Sequence, residues 1–139
     1  MTIGSIVDGI VIDHIPAGRG MEIYKFLELD SLDCSVAIIK NAQSGKLGKK
    51  DIIKVDRIMD VDLNILGYFS PHITVNIIKN GERVEKYHPH LPQTIKDVIK
   101  CKNPRCITST EQDIHHIFVL TDAEEKTYRC LYCETKAEI

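Results

Sequence analysis

The 139-residue sequence lacks several features that would place it in a familiar class. No apolar run approaches the ~20 residues a membrane-spanning helix needs. Met1-Thr-Ile-Gly-Ser5 has neither the basic start nor the apolar stretch of a secretory signal. The expected setting is therefore the cytoplasm, with thiols reduced and no membrane partner. There is no charge excess of the kind a nucleic-acid-binding chain carries. Residues 1–100 hold 13 basic and 13 acidic side chains, residues 101–139 hold 5 and 7, and the net charge is −2. A surface that grips nucleic acid normally shows a basic field. No GxxxxGK[ST] loop is present, and Gly18-Arg-Gly20 continues without the third glycine of a dinucleotide fingerprint. No Ser/His/Asp set, carboxylate pair or activated cysteine is singled out by its spacing, so no catalytic residues are assigned. Tryptophan is absent, aromatics make up 6% and hydrophobic residues 43%, an ordinary globular composition. No internal repeat or low-complexity tract stands out.

Cysteine is the residue whose pattern does carry chemistry. Cys101-Lys-Asn-Pro-Arg-Cys106 is followed, after 23 residues, by Cys130-Leu-Tyr-Cys133. Two short-spaced pairs separated by a loop match a tetrahedral Zn2+ site of Cys101, Cys106, Cys130 and Cys133. Pro104 suits the tight turn of the first knuckle. Four protein thiolates leave no open coordination position, so such a zinc, one per chain, is structural. The competing readings are two disulfides, which need an oxidising compartment, or four unrelated core thiols. His88, His90, His115 and His116 are further candidate ligands, but four cysteines already fill the shell. Cys34 reads as an ordinary packed or surface thiol.

The hydrophobic pattern predicts strands over 5–15, 34–40, 50–58, 72–78 and 82–87, and helices over 21–29 and from Asp60 or Asp62 to Phe69. Ile23, Phe26 and Leu27 would share one helical face, and Val61, Ile65, Leu66 and Phe69 the other. Turns are expected at 41–45 and at Lys79-Asn80-Gly81. The order strand, helix, strand, strand, helix, strand, strand predicts an α+β fold. Its N-terminal part is a ferredoxin-like antiparallel sheet with two helices and an added strand. The uncovered sheet face would go to solvent, a ligand or a second copy. Pro89-His-Leu-Pro92 reads as a stiff boundary between domains at 1–92 and 93–139. Residues 93–100 are expected to form a short helix. Strands at 117–120 and 126–130 would make a small all-β zinc domain.

Outside the cysteines the residues alone point to little. Asp13 and His14 adjoin at a strand end. Neighbours in an extended strand face opposite sides, which predicts that they do not form a dyad. Lys46, Lys49, Lys50 and Lys54 form the densest basic stretch, and Lys50 and Lys54 would share a strand face suited to a polyphosphate. A solvated hairpin accounts for them equally.

Val11-Ile-Asp-His-Ile-Pro16, Ser44-Gly-Lys-Leu-Gly-Lys-Lys-Asp-Ile-Ile-Lys54, Thr74-Val-Asn76 and the four-cysteine tail occur in one order across nearly the whole chain. In this they resemble the regulatory chains of aspartate carbamoyltransferase. The resemblance implies a non-catalytic allosteric subunit in pyrimidine biosynthesis. It implies an N-terminal domain that binds ATP, CTP or UTP as effectors, and a zinc domain that docks on the catalytic chain. It also implies regulatory homodimers within a larger holoenzyme, and a hinge at 89–92. By the same resemblance Ile6 and Val11 would contact base and sugar. Asp13 and His14 would line the effector pocket, and Lys54 and Lys86 would meet the triphosphate, with Lys50 and Asn76 close by. Asn103 and Glu134 would contact the catalytic chain. Gly81 and Arg83 depart from the enterobacterial members, which have an aromatic and an aliphatic residue near the base. A zinc-ribbon nucleic-acid-binding module is the alternative and would need a basic docking face. A thiol redox protein, the third class, would need a metal-free cysteine of low pKa.

Overall fold

A computed structural model of the chain describes residues 6–59 and 62–139. It divides into two compact units, the first ending at His90 and the second spanning Leu91–Ile139. The first unit contains β1 (Gly9–Pro16), α1 (Gly20–Phe26), β2 (Val36–Ser44), β3 (Gly48–Val55), β4 (Thr74–Lys79) and β5 (Glu82–Tyr87). The strands form one antiparallel sheet in the order β2-β3-β1-β4-β5. Its first four members have the ferredoxin-like order, and β5 is the addition. Two 3-10 helices, Leu29–Ser31 and Leu63–Tyr68, complete the unit.

Period-two alternation sorts the strand residues onto two faces. Ile10, Ile12, Ile53, Val55 and Val75 are buried together with Ile23, Leu27, Leu63, Leu66 and Phe69, which makes one face the core. Val11, Ile52, Lys54 and Asn76 occupy intervening positions and therefore point the other way. Asp51 belongs to the core face yet is charged and fully buried. Its carboxylate accepts from the backbone N–H groups of Gly18 (3.1 Å), Gly20 (3.0 Å) and Asn41 (3.1 Å). Three donors are what a buried carboxylate requires. A Cβ on Gly20 would stand 2.8 Å from Asp51 Oδ2, which explains the glycine at the start of α1.

Several elements differ from the sequence expectation for identifiable reasons. The strand predicted over 5–15 begins at Gly9, and Ser5 lies outside the described residues. α1 ends at Phe26 because Glu28 is left-handed (φ 54°), and a 3-10 turn follows instead of more α-helix. β2 runs through the predicted 41–45 turn to Ser44: Asn41 takes φ 59° and the register slips between Ile39 and Ala42. The second helix is 3-10 rather than α. Asp62 caps it by accepting from the Asn64 N–H (3.1 Å), and Ser70-Pro71 leaves no room for a longer helix. Asp60 and Val61 lie outside the described residues. The β4–β5 hairpin turns at Asn80 and Gly81, both with positive φ, as an Asn-Gly turn should.

The second unit is a three-stranded antiparallel sheet, β6 (Thr94–Lys96), β7 (Ile117–Asp122) and β8 (Thr127–Cys130), with a one-turn α2 (Ile107–Thr110). The helix expected over 93–100 is absent. The β-branched Thr94 and Ile95 pair instead with Val119 and Phe118, and Ile95 is buried at 1% exposure. Ile95, Ile99, Phe118 and Tyr128 form the interior. Among the described residues, no helix is long and apolar enough to cross a membrane.

Asp51→Ala leaves three backbone donors facing an apolar core. It should lower unfolding free energy by at least about 3 kcal/mol, read as a shift in the urea midpoint of the full chain. A midpoint unchanged from wild type would show that Asp51 does not hold these segments.

Candidate functional site

Strand register brings separated residues together on the sheet face away from the helices. Val11 pairs with Lys54 on one side and Asn76 on the other, and Asn76 pairs with Lys86. Cross-strand partners project to the same face, so Lys54, Val11, Asn76 and Lys86 form one transverse row. Asn76 is 9% exposed, and its Nδ2 donates to Val11 O at 3.2 Å. β3 is regular from Gly48 to Val55, so Lys50 and Lys54 share this face as expected. Ile6 is buried beside Gly9 and lies outside both the row and the cavity described next.

The expectation that Asp13 and His14 face opposite sides is overturned. The β1–β3 register shifts between Ile12 and Ile15, and His14 adopts φ 56°. A bulge of this kind cancels the alternation and turns two successive side chains the same way. Asp13 Oδ1 and His14 Nδ1 lie 4.0 Å apart, and Lys50 Nζ closes on Asp13 Oδ1 at 2.9 Å. His14 Nδ1 also shares a hydrogen bond of 3.0 Å with Thr74 Oγ1. Beside this group lies a cavity of about 100 Å³, lined by His14, Lys46, His72, Thr74, Lys86 and His88, with Leu47 and Pro71 at its rim. Burial depresses the pKa of His14 below its ordinary 6.5. Asp13 opposes the shift, while Lys50, Lys46 and Lys86 reinforce it.

Lys46, His72, Thr74 and His88 are the lining residues that sequence reasoning did not assign to a site. They come from the β2–β3 turn, the approach to β4, β4 itself and the residue after β5. No spacing in the chain joins them.

The four cysteines also converge. All four Sγ atoms lie within 4.8 Å of one another. Cys101 and Cys133 are 3.5 Å apart, and Cys106 and Cys130 are 3.7 Å apart. A disulfide needs about 2.05 Å. Sulfurs about 2.3 Å from a central tetrahedral ion stand about 3.8 Å apart, so the geometry fits a metal and excludes bonded pairs. Backbone N–H groups offset part of the burial that raises two of these thiols. The Asn103 N–H bears on Cys101, and those of Tyr132 and Cys133 bear on Cys130. Thr135 Oγ1 lies 3.2 Å from Cys133 Sγ. Without metal, burial pushes the Cys101 thiol up to about 12, whereas hydrogen bonding from Thr135 holds Cys133 down at about 6.

The residues near these cysteines have defined tasks. His116 Nδ1 accepts from the Cys101 N–H at 3.1 Å, and His115 pairs with Asp97 at 2.7 Å. Asn103 ties the first knuckle to the second by donating to Thr135 Oγ1 at 3.3 Å. Glu134 is exposed, in a left-handed turn at φ 64°.

His14 should titrate below 6.5 in a proton NMR titration. Lys46→Ala should raise its pKa and Asp13→Asn should lower it further, because these charges act on the imidazole with opposite signs. The unfolded chain protonates this imidazole first, so its contribution to stability is present at higher pH and is lost as pH falls below about 6.5. A His14 titrating at or above 6.5, insensitive to both variants, would contradict the arrangement.

Residues 1–90 match the family described as the aspartate carbamoyltransferase regulatory chain, allosteric domain. Residues 93–139 match the metal binding domain of the same regulatory chain. A curated aspartate carbamoyltransferase regulatory chain from Clostridium botulinum (strain Hall) is 54% identical over 134 residues, covering 96% of this chain and 92% of that one. The regulatory chain of Clostridium tetani is 51% identical over 135 residues, covering 96% and 94%. That of Bifidobacterium longum is 42% identical over 139 residues, covering all of both. With both domains matched and relatives spanning its full length, the chain belongs to the aspartate carbamoyltransferase regulatory chain family, as a non-catalytic subunit with an allosteric and a metal-binding domain.

Proposed function

We propose that the domain spanning 1–92 binds a nucleoside triphosphate effector (ATP, CTP or UTP) on its open sheet face. The carrying observation is the row Lys54–Val11–Asn76–Lys86, continued on the same face by Lys50 on β3 and by Asp13 and His14 on β1. Lysines at fixed positions suit a phosphate chain, and Val11 offers an apolar contact for sugar or base. Ile6 would act through packing under β1, since only 8% of it is exposed. Gly81 takes φ 78° in the β4–β5 turn. A side chain there is strained, so base contacts must come from elsewhere on this face.

The domain spanning 93–139 would hold a structural zinc on Cys101, Cys106, Cys130 and Cys133 and dock on the catalytic chain of aspartate carbamoyltransferase. Zinc in this setting is a crosslink between two knuckles and performs no chemistry on a substrate. What the chain supplies is a fixed surface. Leu131 (52% exposed) and Tyr132 (47%) project from the second knuckle, Ile107 (46%) follows the first, and Asn103 and Glu134 sit beside them. Exposed apolar groups on a metal-fixed tip suit a protein partner. Regulatory dimers bridging catalytic trimers in the cytoplasm complete this reading, and five unpaired thiols accord with a reducing compartment.

Titration calorimetry of the zinc-loaded chain with ATP, CTP and UTP tests the effector site. Lys54→Ala and Lys86→Ala should each weaken triphosphate binding by about tenfold, the loss of one charge-assisted contact, while assembly survives. Unchanged affinities would remove these lysines from the site. Cys130→Ser should lose zinc and stop the chain from copurifying with the catalytic chain. A zinc-free variant that still copurifies would refute the docking role.

A further inference from the structure

The β4–β5 turn carries chemistry of its own. Of the five asparagines in the chain, Asn80 is the one followed by glycine. An asparagine side chain can be attacked by the backbone nitrogen of the next residue, which closes a cyclic imide. A side chain on that next residue crowds the ring, and a proline has no N–H to give up. Gly81 has no Cβ, so Asn80 has an unhindered neighbour. Both residues are exposed and both take positive φ, 54° at Asn80 and 78° at Gly81.

The backbone amides of this turn are nevertheless engaged. The Gly81 N–H donates to Val7 O at 2.9 Å, and the Asn80 N–H donates to Asp8 Oδ1 at 3.2 Å. Neither bond belongs to the hairpin itself. Both run to the segment just before β1, which Ile6 anchors by its burial beside Gly9. Pairing of β1 with β4 begins at Gly9 and Ile78. Val7 and Asp8 therefore reach past the end of the ladder and clasp the turn.

We propose that Asn80-Gly81 is a deamidation site guarded by the Val7-Asp8 segment, so that release of this segment opens the turn to irreversible modification. In the reaction the Gly81 nitrogen loses its proton to solvent base and attacks Asn80 Cγ. The N–Cγ bond forms, the Cγ–Nδ2 bond breaks, and ammonia leaves with a proton taken from water. Water then opens the imide at one carbonyl or the other and leaves an aspartyl or isoaspartyl residue. No oxidant or cofactor takes part. While Val7 O holds the Gly81 N–H, that nitrogen cannot shed its proton and reach Cγ. The reaction in the folded chain therefore runs through a locally opened state. Its product reinforces the opening. A new carboxylate at position 80 comes next to Asp8, the acceptor of the Asn80 N–H, and Glu82 follows two residues on. Like charges at this range repel. The isoaspartyl form also adds a methylene to the backbone and ends the tight Asn-Gly turn.

The test follows ammonia loss at Asn80 by peptide-map mass spectrometry of the full zinc-loaded chain in mildly alkaline buffer. The urea-unfolded chain is the reference and Asp8→Ala the loosened clasp. Asp8 is exposed, so the fold survives its replacement. Folded wild type should convert at least about tenfold more slowly than the unfolded chain, and Asp8→Ala at least about threefold faster than folded wild type, the loss of one hydrogen bond. Hydrogen exchange at the Gly81 amide should quicken in Asp8→Ala and in Asn80→Asp. If folded wild type converts as fast as the unfolded chain, or if Asp8→Ala leaves the conversion rate unchanged, the guard is refuted. No conversion even in urea would remove the site itself. Unchanged Gly81 exchange in Asn80→Asp would refute the self-reinforcing step.

Discussion

The buried carboxylate of Asp51 is the constraint on which the first domain depends. Its oxygens gather N–H groups from the β1–α1 loop at Gly18 and Gly20 and from the β2 bulge at Asn41. Two segments far apart in sequence are thus fixed around one point in β3. Lys50 precedes Asp51, and alternation sends its side chain to the opposite face. There it meets Asp13 at 2.9 Å. Two successive residues of one strand therefore do unlike work. One locks the core side of the sheet, and the other sets the charge on the open side. The position of the open, charged face is a consequence of how the core was closed.

The two domains reach stability by different routes. The first buries a continuous apolar layer between a five-stranded sheet and its helices. The second has three short strands and few large buried side chains. A segment this small struggles to bury enough surface alone, and four converging thiols supply the missing constraint once a metal draws them together. Burial holds Cys101 protonated, up to about 12, in the metal-free chain. Closing the site must expel protons as well as bind an ion, so the proposed docking surface would be coupled to metal occupancy. The Asn103–Thr135–Cys133 chain of contacts joins the knuckles directly. A residue expected at the partner interface thus also braces the site behind it.

Much of this was legible in the sequence because it rests on local rules. Two-residue alternation located most strands, Asn80-Gly81 announced its hairpin, and the spacing of Cys101, Cys106, Cys130 and Cys133 gave the metal cluster. The exceptions share a cause. Asp13 and His14 were assigned opposite faces because periodicity assumes a regular strand, and the bulge that reunites them depends on pairing with β3, which no local window contains. Asn41 was assigned to a hairpin turn for the same reason: its left-handed conformation is a bulge inside β2, stabilised by Asp51, ten residues away. Gln93 to Lys100 looked helical until β7 provided an edge for Thr94 and Ile95 to join. Lys46 stood out only as part of a basic stretch, His88 only as a spare candidate metal ligand, and His72 not at all. They meet only through the topology of the sheet.

That topology also resolves an apparent conflict between composition and chemistry. The chain is mildly acidic overall, at −2, yet two lysines and three imidazoles converge on one small cavity. Net charge governs long-range behaviour such as solubility and encounter, whereas a site is set by what stands within a few ångströms. Burial is the first cause that depresses His14, and Lys50, Lys46 and Lys86 add to it, so these like charges repel one another. An anionic effector of the kind proposed would relieve that repulsion and bridge the β2–β3 turn, the β1 bulge, the approach to β4 and the end of β5. A ligand shifts an equilibrium only by its differential affinity for two states. An effector bound here can therefore bias only states that differ in how those four segments meet. In the proposed effector reading, their arrangement, and not the row of lysines alone, is where the allosteric signal starts.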